Sequence, residues 1–341
     1  MSEEASGYSI SAAKLQASKC TVLDEAEAVA AVKSGKGLVW LHVQVIEREP
    51  AFAFLTQELG FNELHAEDAL SDQERPAAHE GDDTLFMVAP AVHASDLGFH
   101  YVEIAIFVGK SFIVTVATEE SPLIAEWMER WKKSPQLVGR TAPLLLHSLL
   151  DAIVDDYFPA ADALEDDVDR LEERIYRGRS NIVTEALRVK RSLLQARRQI
   201  TPIRDVLNAL LRRDVALIPA EIKPHFQDVY DHTIRIAETI DITRDILGSI
   251  VDAHLSLVSN KLNEVMRFMT VIATILMSLS LIAGIYGMNF RLMPELEWRW
   301  GYAFALGLML LVALIEYAIF KKKGWLTTRG VERTFRMRDR R

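Results

Sequence analysis

FMTVIATILMSLSLIAGIYGM, residues Phe268–Met288, is a run of 21 residues without a single charged side chain. At ~1.5 Å of rise per residue, a helix of this length covers roughly 30 Å, the thickness of a bilayer's hydrocarbon core. A second run of 21 residues, WGYAFALGLMLLVALIEYAIF at Trp300–Phe320, is interrupted only by Glu316. Core helices of soluble proteins rarely continue so far without a charge, so both stretches read as membrane spans. Only NFRLMPELEWR lies between them. The spans therefore form an antiparallel hairpin closed by a short loop on one side of the bilayer.

Charge gives the orientation. The loop carries Arg291, Glu295, Glu297 and Arg299, which cancel, whereas Lys261 and Arg267 precede the first span and Lys321, Lys322 and Lys323 follow the second. The positive-inside bias places both termini in the cytosol. Trp298, Trp300, Tyr302, Tyr317 and Trp325 fall near the expected interfaces, where amphipathic rings settle. The first residues, MSEEASGYS, are acidic and polar and do not read as a secretory signal. The whole chain of 341 residues has a formal charge of −9, yet residues 321–341 hold nine Lys or Arg against Glu332 and Asp339. An acidic body is a poor nucleic-acid binder. Cys20 is the single cysteine, which excludes an intramolecular disulfide and a cysteine-built zinc site. No His-Glu-x-x-His, phosphate loop or nucleophile elbow is present, so the chain does not read as an enzyme.

Upstream of the spans, the first 120 residues read as mixed α/β. Strands are expected at Gly37–Val43, Leu85–Val92, Tyr101–Val108 and Ser111–Thr118, the last two joined by a two-residue turn at Gly109-Lys110. Short helices are expected at Ala51–Leu59 and Leu64–Leu70. From Ala142 the period becomes helical, through about 161–178 and 181–212, until Pro219 and Pro224 interrupt it. No proline follows Pro224 before Pro294. A helix starting near Phe226 and reaching the outer end of the first span would be about 95 Å long. A rod of that length suggests a self-associating stalk that couples a cytosolic domain to the membrane.

Two spans cannot enclose an aqueous path, so a channel would need one helix from each of several copies. Asn263, Met266, Thr270, Ala273, Met277, Ser280 and Gly284 recur in alternating steps of three and four, a 3.5-residue repeat that keeps one stripe toward an axis in a left-handed bundle. The same small and hydroxyl residues also suit ordinary packing between spans. Both readings fit the pattern.

At Tyr286-Gly287-Met288-Asn289-Phe290 the sequence resembles the CorA family of magnesium channels, whose signature is Gly-Met-Asn at the end of the first of two C-terminal spans. Met293-Pro294-Glu295-Leu296, Trp300-Gly301-Tyr302 and Lys321-Lys322-Lys323-Gly324-Trp325-Leu326 extend the resemblance downstream. Asp151–Tyr157, Asp228–Thr233 and Ser259–Met266 extend it upstream. It is specific over about 140–326 and weaker before that. The resemblance implies a funnel-shaped homopentamer with an α/β/α cytosolic domain (1–220, including a helical hairpin), a stalk helix (221–267), a pore-lining span (268–289), an external loop (290–299), an outer span (300–320) and a basic cytosolic tail (321–341). It implies transport of Mg²⁺, with Co²⁺ and Ni²⁺, across the cytoplasmic membrane, and no organic cofactor.

By the same resemblance Gly287, Met288 and Asn289 form the selectivity filter, and the stripe above is the conduction path. Magnesium gives up its octahedral water shell reluctantly, and a ring of neutral amide carbonyls can accept hydrogen bonds from those waters without stripping them. A helix C-cap is the other reading of Asn289. Glu295 and Glu297 would concentrate cations at the mouth, or be solvated loop charges. Asp252 would stand at the cytosolic exit, or be a surface charge of the stalk. Regulatory Mg²⁺ would be held between subunits by Glu67, Asp68, Asp151 and Asp228, cancelling their repulsion and closing the pore. His232 and His254 read as packing or surface residues. Two departures from the family stand out: the first span has no central proline, and Glu316 replaces an apolar residue. An intramembrane acid requires a partner, for which Arg267 is the candidate. The competing functions are a zinc transporter of the ZntB branch, which shares Gly-Met-Asn, and a non-transporting membrane-anchored scaffold built on the stalk.

Overall fold

The computed structural model describes residues 7–71, 78–80, 84–95, 98–176, 182–212, 215–289, 293–294 and 297–326. Phe290, Arg291, Leu292, Glu295, Leu296 and the tail from 327 onward lie outside them. The chain divides into two compact units, Met1–Ile250 and Val251–Arg341.

The first unit is built on a seven-stranded sheet of β1 (Tyr8–Gln16), β2 (Lys19–Leu23), β3 (Leu38–Val45), β4 (Ala78–Glu80), β5 (Leu85–Ser95), β6 (Gly98–Val108) and β7 (Phe112–Ala117), in the order β2-β1-β3-β7-β6-β5-β4. Only β3 and β7 pair in parallel; every other neighbour is antiparallel. The sheet is thus mixed, with the expected antiparallel hairpin of β6 and β7 inside it. The expected two-residue turn is present but one position further on, at Lys110-Ser111. Val108 pairs with Ile113, and the Gly109 N–H donates to the Phe112 carbonyl at 3.0 Å. A Cβ at Gly109 would fall 2.3 Å from the Phe112 ring, which explains the glycine.

Alternation places two apolar faces on this sheet. Val39, Leu41, Val43, Phe107 and Val114 share a core with α1 (Glu25–Ser34), α2 (Arg48–Ala53), a π-helical turn (Phe54–Glu58) and α3 (Glu63–Ala69). Asp24 starts α1 with a capping box, its carboxylate accepting from the Glu27 N–H at 2.8 Å. The opposite face carries α4 (Pro122–Lys133), α5 (Pro135–Val138), α6 (Ala142–Asp155), α7 (Tyr157–Tyr176) and α8 (Ile182–Arg212). Trp40 of β3 meets Trp131 of α4 edge-on at 5.9 Å, both rings buried. The layers are helix, sheet, helix, as expected.

At the centre of this second face, Thr115 Oγ1 accepts from Trp40 Nε1 at 3.1 Å and stands 3.1 Å from His42 Nδ1. Burial pushes His42 down to about 4, so its imidazole is neutral at pH 7.

A 64-residue helix, α9 (Lys223–Tyr286), follows, and α10 (Gly301–Lys322) ends the described chain. Pro224 sits in the first turn of α9, where a missing N–H costs nothing. Phe226, Val229, Thr233, Ile236, Ile240 and Leu247 bury one face of α9 in the first unit.

Pro90 lies in β5 beyond Met87, the last β5 residue that β4 pairs, so no ladder needs its absent N–H on that side. Its carbonyl is taken by the buried Tyr157 hydroxyl at 2.9 Å. Tyr157→Phe leaves that acceptor orphaned, and a loss of roughly 1–3 kcal/mol is expected, read from the midpoint of denaturant unfolding. An unchanged midpoint would show that water replaces the hydroxyl.

Candidate ion path and metal-binding residues

Asn263, Met266, Thr270, Ala273, Met277, Ser280 and Gly284 are all exposed in the single chain. The less exposed face of this part of α9 is a different one, carrying Val271, Thr274, Ile275, Ser278, Leu279 and Ile282. On α10 the corresponding face is Ala305, Leu308, Val312, Glu316 and Phe320. Beside the exposed stripe runs a second one. Leu255, Val258, Leu262, Val265, Met269, Ile272 and Leu276 follow the same alternation of three and four, and every one is exposed. Almost nothing of the two apolar windows is buried, 6% in α9 and 0% in α10, so neither is the core helix of a soluble unit.

Gly287 ends α9, its N–H donating to the Ala283 carbonyl at 2.9 Å, and Met288 N–H follows to Ile285 at 3.2 Å. A Cβ on Gly287 would press to 3.2 Å on that same Ala283 carbonyl. Asn289 lies beyond the helix end and is exposed. Among the described residues the only non-glycines at positive φ are Ala17 and Ser18, so Asn289 is not a left-handed cap. Glu297 and Asp252 are exposed.

Glu316 does not pair with Arg267 within the chain. Its Oε1 is 2.5 Å from Ser278 Oγ. Arg267 is a further ~16 Å along the helix, and its side chain is exposed.

The expected regulatory acids fall into two groups. Glu67 and Asp68 on α3 line an open groove with Arg48, Glu49 and Phe52. Asp151 on α6 and Asp228 on α9 are on the other side of the sheet, close enough to feel each other's charge. One chain therefore does not bring Glu67 and Asp68 to Asp151 and Asp228. It does bring Asp151 to Asp155 and His232, three ligand atoms within 4.8 Å of one another. Asp151 and Asp155 are one turn apart on α6, and His232 follows Asp228 by one turn on α9, so two i, i+4 pairs face each other. His232 thus belongs to a potential ligand set, in addition to the packing role the sequence suggests. Its Nδ1 is 3.5 Å from Asp155 Oδ1, and its ring stands edge-on to Phe158 at 5.5 Å. Asp155 is missed by sequence reasoning, although the i, i+4 spacing with Asp151 is visible.

Electrostatics make this a costly cluster without a cation. Burial pushes Asp151 above the usual carboxylate range, and Asp155 and Asp228 push it further, against the opposing pull of His232. Next to it, burial and then His225 push His147 down, opposed by Asp228. Two carboxylates and an imidazole within reach of one ion are a mixed donor set that takes Mg²⁺ through oxygen and Co²⁺, Ni²⁺ or Zn²⁺ through nitrogen as well.

Comparisons with known proteins agree with this architecture. The CorA-like Mg2+ transporter protein family matches residues 35–322. The chain is 37% identical over 307 residues to the cobalt/magnesium transport protein CorA of Thermotoga maritima, covering 89% of this chain and 87% of that one. It is 26% identical over 293 residues to the CorA of Methanocaldococcus jannaschii, covering 85% and 92%. The complete structure of the M. jannaschii CorA magnesium transporter superposes with a TM-score of 0.81 at 23% identity, over 93% of this chain and 98% of that one. The soluble layers, the 64-residue helix, the two apolar helices and the sequence match together make this chain a member of the CorA-like Mg²⁺ transporter family, a family of transporters and not of enzymes.

Proposed function

We propose that the protein is a homopentameric channel for Mg²⁺, admitting Co²⁺ and Ni²⁺ as well, in the cytoplasmic membrane with both termini in the cytosol. The observation that carries this reading is the pair of exposed stripes on α9. The apolar stripe Leu255–Leu276 has no cover in one chain, and a second copy of the same helix buries it at a 3.5-residue repeat. Such association turns the adjacent stripe, Asn263 to Gly284, toward the common axis. That second stripe offers hydroxyl, amide and thioether groups and no charge, a lining that lets a hydrated ion pass without trapping it.

Asn289 from each copy forms the entry ring. Its amide carbonyls accept hydrogen bonds from the water shell of the ion, and Gly287 lets the backbone turn tightly where the helix ends. Asn289→Ala is expected to lower Mg²⁺ uptake into proteoliposomes by on the order of tenfold, about the 1.4 kcal/mol of one lost charge-assisted hydrogen bond. Uptake at the wild-type rate with wild-type selectivity would remove Asn289 from the filter. The same assay run with Zn²⁺, with and without a pH gradient, separates this channel from a proton-coupled zinc transporter.

Cytosolic Mg²⁺ closes the pore through Glu67, Asp68, Asp151 and Asp228. Their placement on opposite sides of the sheet supports a site completed by a neighbouring copy, since one chain cannot join them. The double variant Asp68→Asn, Asp228→Asn is expected to raise the inhibiting Mg²⁺ concentration on the order of tenfold in patch-clamp currents, a coupling of about 1.4 kcal/mol. Currents as sensitive as wild type would exclude these residues from closure.

Asp151 gives a pH-linked test. Its folded-state titration lies above the ordinary range, so it favours the fold at low pH and disfavours it once pH rises through the raised value. At pH 7–8 without divalent cations, Asp151→Asn should therefore leave the melting temperature unchanged or raise it. The rise in melting temperature on adding Mg²⁺ should shrink. A variant that melts lower in EDTA and keeps its full Mg²⁺ response would refute the role.

A further inference from the structure

Glu316 is the one acidic or basic residue within either apolar run. Its Oε1 is 2.5 Å from Ser278 Oγ, and its Oε2 is buried with no hydrogen-bond partner. Ser278 Oγ is in turn 3.1 Å from the Thr274 carbonyl. A serine hydroxyl carries one proton. If Glu316 were ionised, Ser278 would spend that proton on Oε1, the contact to Thr274 would lapse, and a carboxylate would stand in hydrocarbon with one oxygen unsatisfied. If Glu316 carries a proton, both contacts are made in a chain: the carboxyl donates to Ser278 Oγ, and Ser278 donates to the Thr274 carbonyl.

Among the described residues no cation is placed to hold the ionised form. Arg267 lies ~16 Å along α9 from Ser278, and Lys321 to Lys323 follow α10 in its last turn and beyond. The α9 group in contact with Glu316 is the hydroxyl of Ser278, and the neighbours of Ser278 on the less exposed face of α9, Thr274, Ile275 and Leu279, carry no charge. Ser278 and Glu316 both belong to the second unit, and each lies on the less exposed face of its helix.

We propose that Glu316 is a neutral, protonated acid that latches the outer span to the pore-lining helix through Ser278, and so fixes the rotation of the stripe that includes Met277. It is a positioning residue: it touches no ion and acts through Ser278. The proposal rests on the channel reading for its consequence, but its chemistry does not depend on transport.

The test uses the full chain reconstituted in lipid at neutral pH. Infrared difference spectra of wild type against Glu316→Gln should contain the carbonyl stretch of a protonated carboxyl, shifted on exchange into D₂O. Glu316→Gln keeps a donor and no charge, so its melting temperature and Mg²⁺ uptake should stay within about twofold of wild type. Glu316→Leu and the milder Ser278→Ala should each lower the melting temperature and change the uptake rate or ion selectivity, because the latch is gone. Absence of the protonated band, failure of Gln to match wild type while Leu fails equally, or wild-type behaviour of both Leu and Ala would each overturn the proposal. If wild type itself passes no Mg²⁺ while the band and the melting pattern are found, the channel reading fails and the protonated latch stands.

Discussion

The arrangement depends on a backbone constraint. Within hydrocarbon no water is available to satisfy an N–H or a carbonyl, so a spanning segment must close its hydrogen bonds inside its own helix. A sequence that meets this condition from Phe268 onward, with no proline between Pro224 and Pro294, has no reason to break the helix where the apolar residues begin. The result is α9, one helix of 64 residues whose N-terminal part buries Phe226 to Leu247 and whose later part is almost wholly exposed. Only its surface changes along its length. The helix ends at Gly287, whose N–H makes the last i to i−4 bond before the Met288 N–H turns to the Ile285 carbonyl.

Exposure on α9 has a direction. A helix surrounded by lipid has no need of a seven-residue repeat, since tails solvate any apolar side chain equally well. The repeat from Leu255 to Leu276 begins in the stalk and continues into the span without a shift of phase. A single register through both environments is what identical helices require if they are to pack side by side over that whole length. Glycine and alanine at Gly284 and Ala273, next to this seam, are the small residues that let helices approach or leave room between them.

Much of this was legible in the residues, and the failures have physical causes. Spans, stalk and Gly-Met-Asn are local patterns, read from periods of three to four residues and from missing charges. Strands β3, β5, β6 and β7 are rich in Val, Ile and Phe, and their alternation is plain. β1 is not, because its buried positions are Ala12, Ala13 and Leu15, small or consecutive, while Lys14 and Gln16 break any strand signal. The helix α4 carries a readable period in Ile124, Met128 and Trp131 but sits directly after β7, where a strand-to-strand reading runs past it. The candidate ligand group of Asp151, Asp155 and His232 was beyond the sequence for a different reason. Asp155 and His232 come from helices far apart in the chain, and neither spacing alone distinguishes a ligand from a solvated surface charge. The sequence marks Glu316 as an acid in need of a partner. Its partner was sought among cations, because charge is visible in a sequence, whereas a serine placed by helix rotation is not.

Charge repulsion and ion binding are two aspects of the same acids in this fold. A carboxylate as buried as Asp151, with Asp155 and Asp228 at hand, raises the free energy of the ionised chain. A proton or a divalent cation relieves it, and the two compete for the same oxygens. Because His232 stands on α9 and Asp151 and Asp155 on α6, an ion held by all three ties the long helix to the body of the domain. In the proposed channel, loosening of that tie would act on the same continuous helix that carries the stripe from Asn263 to Gly284.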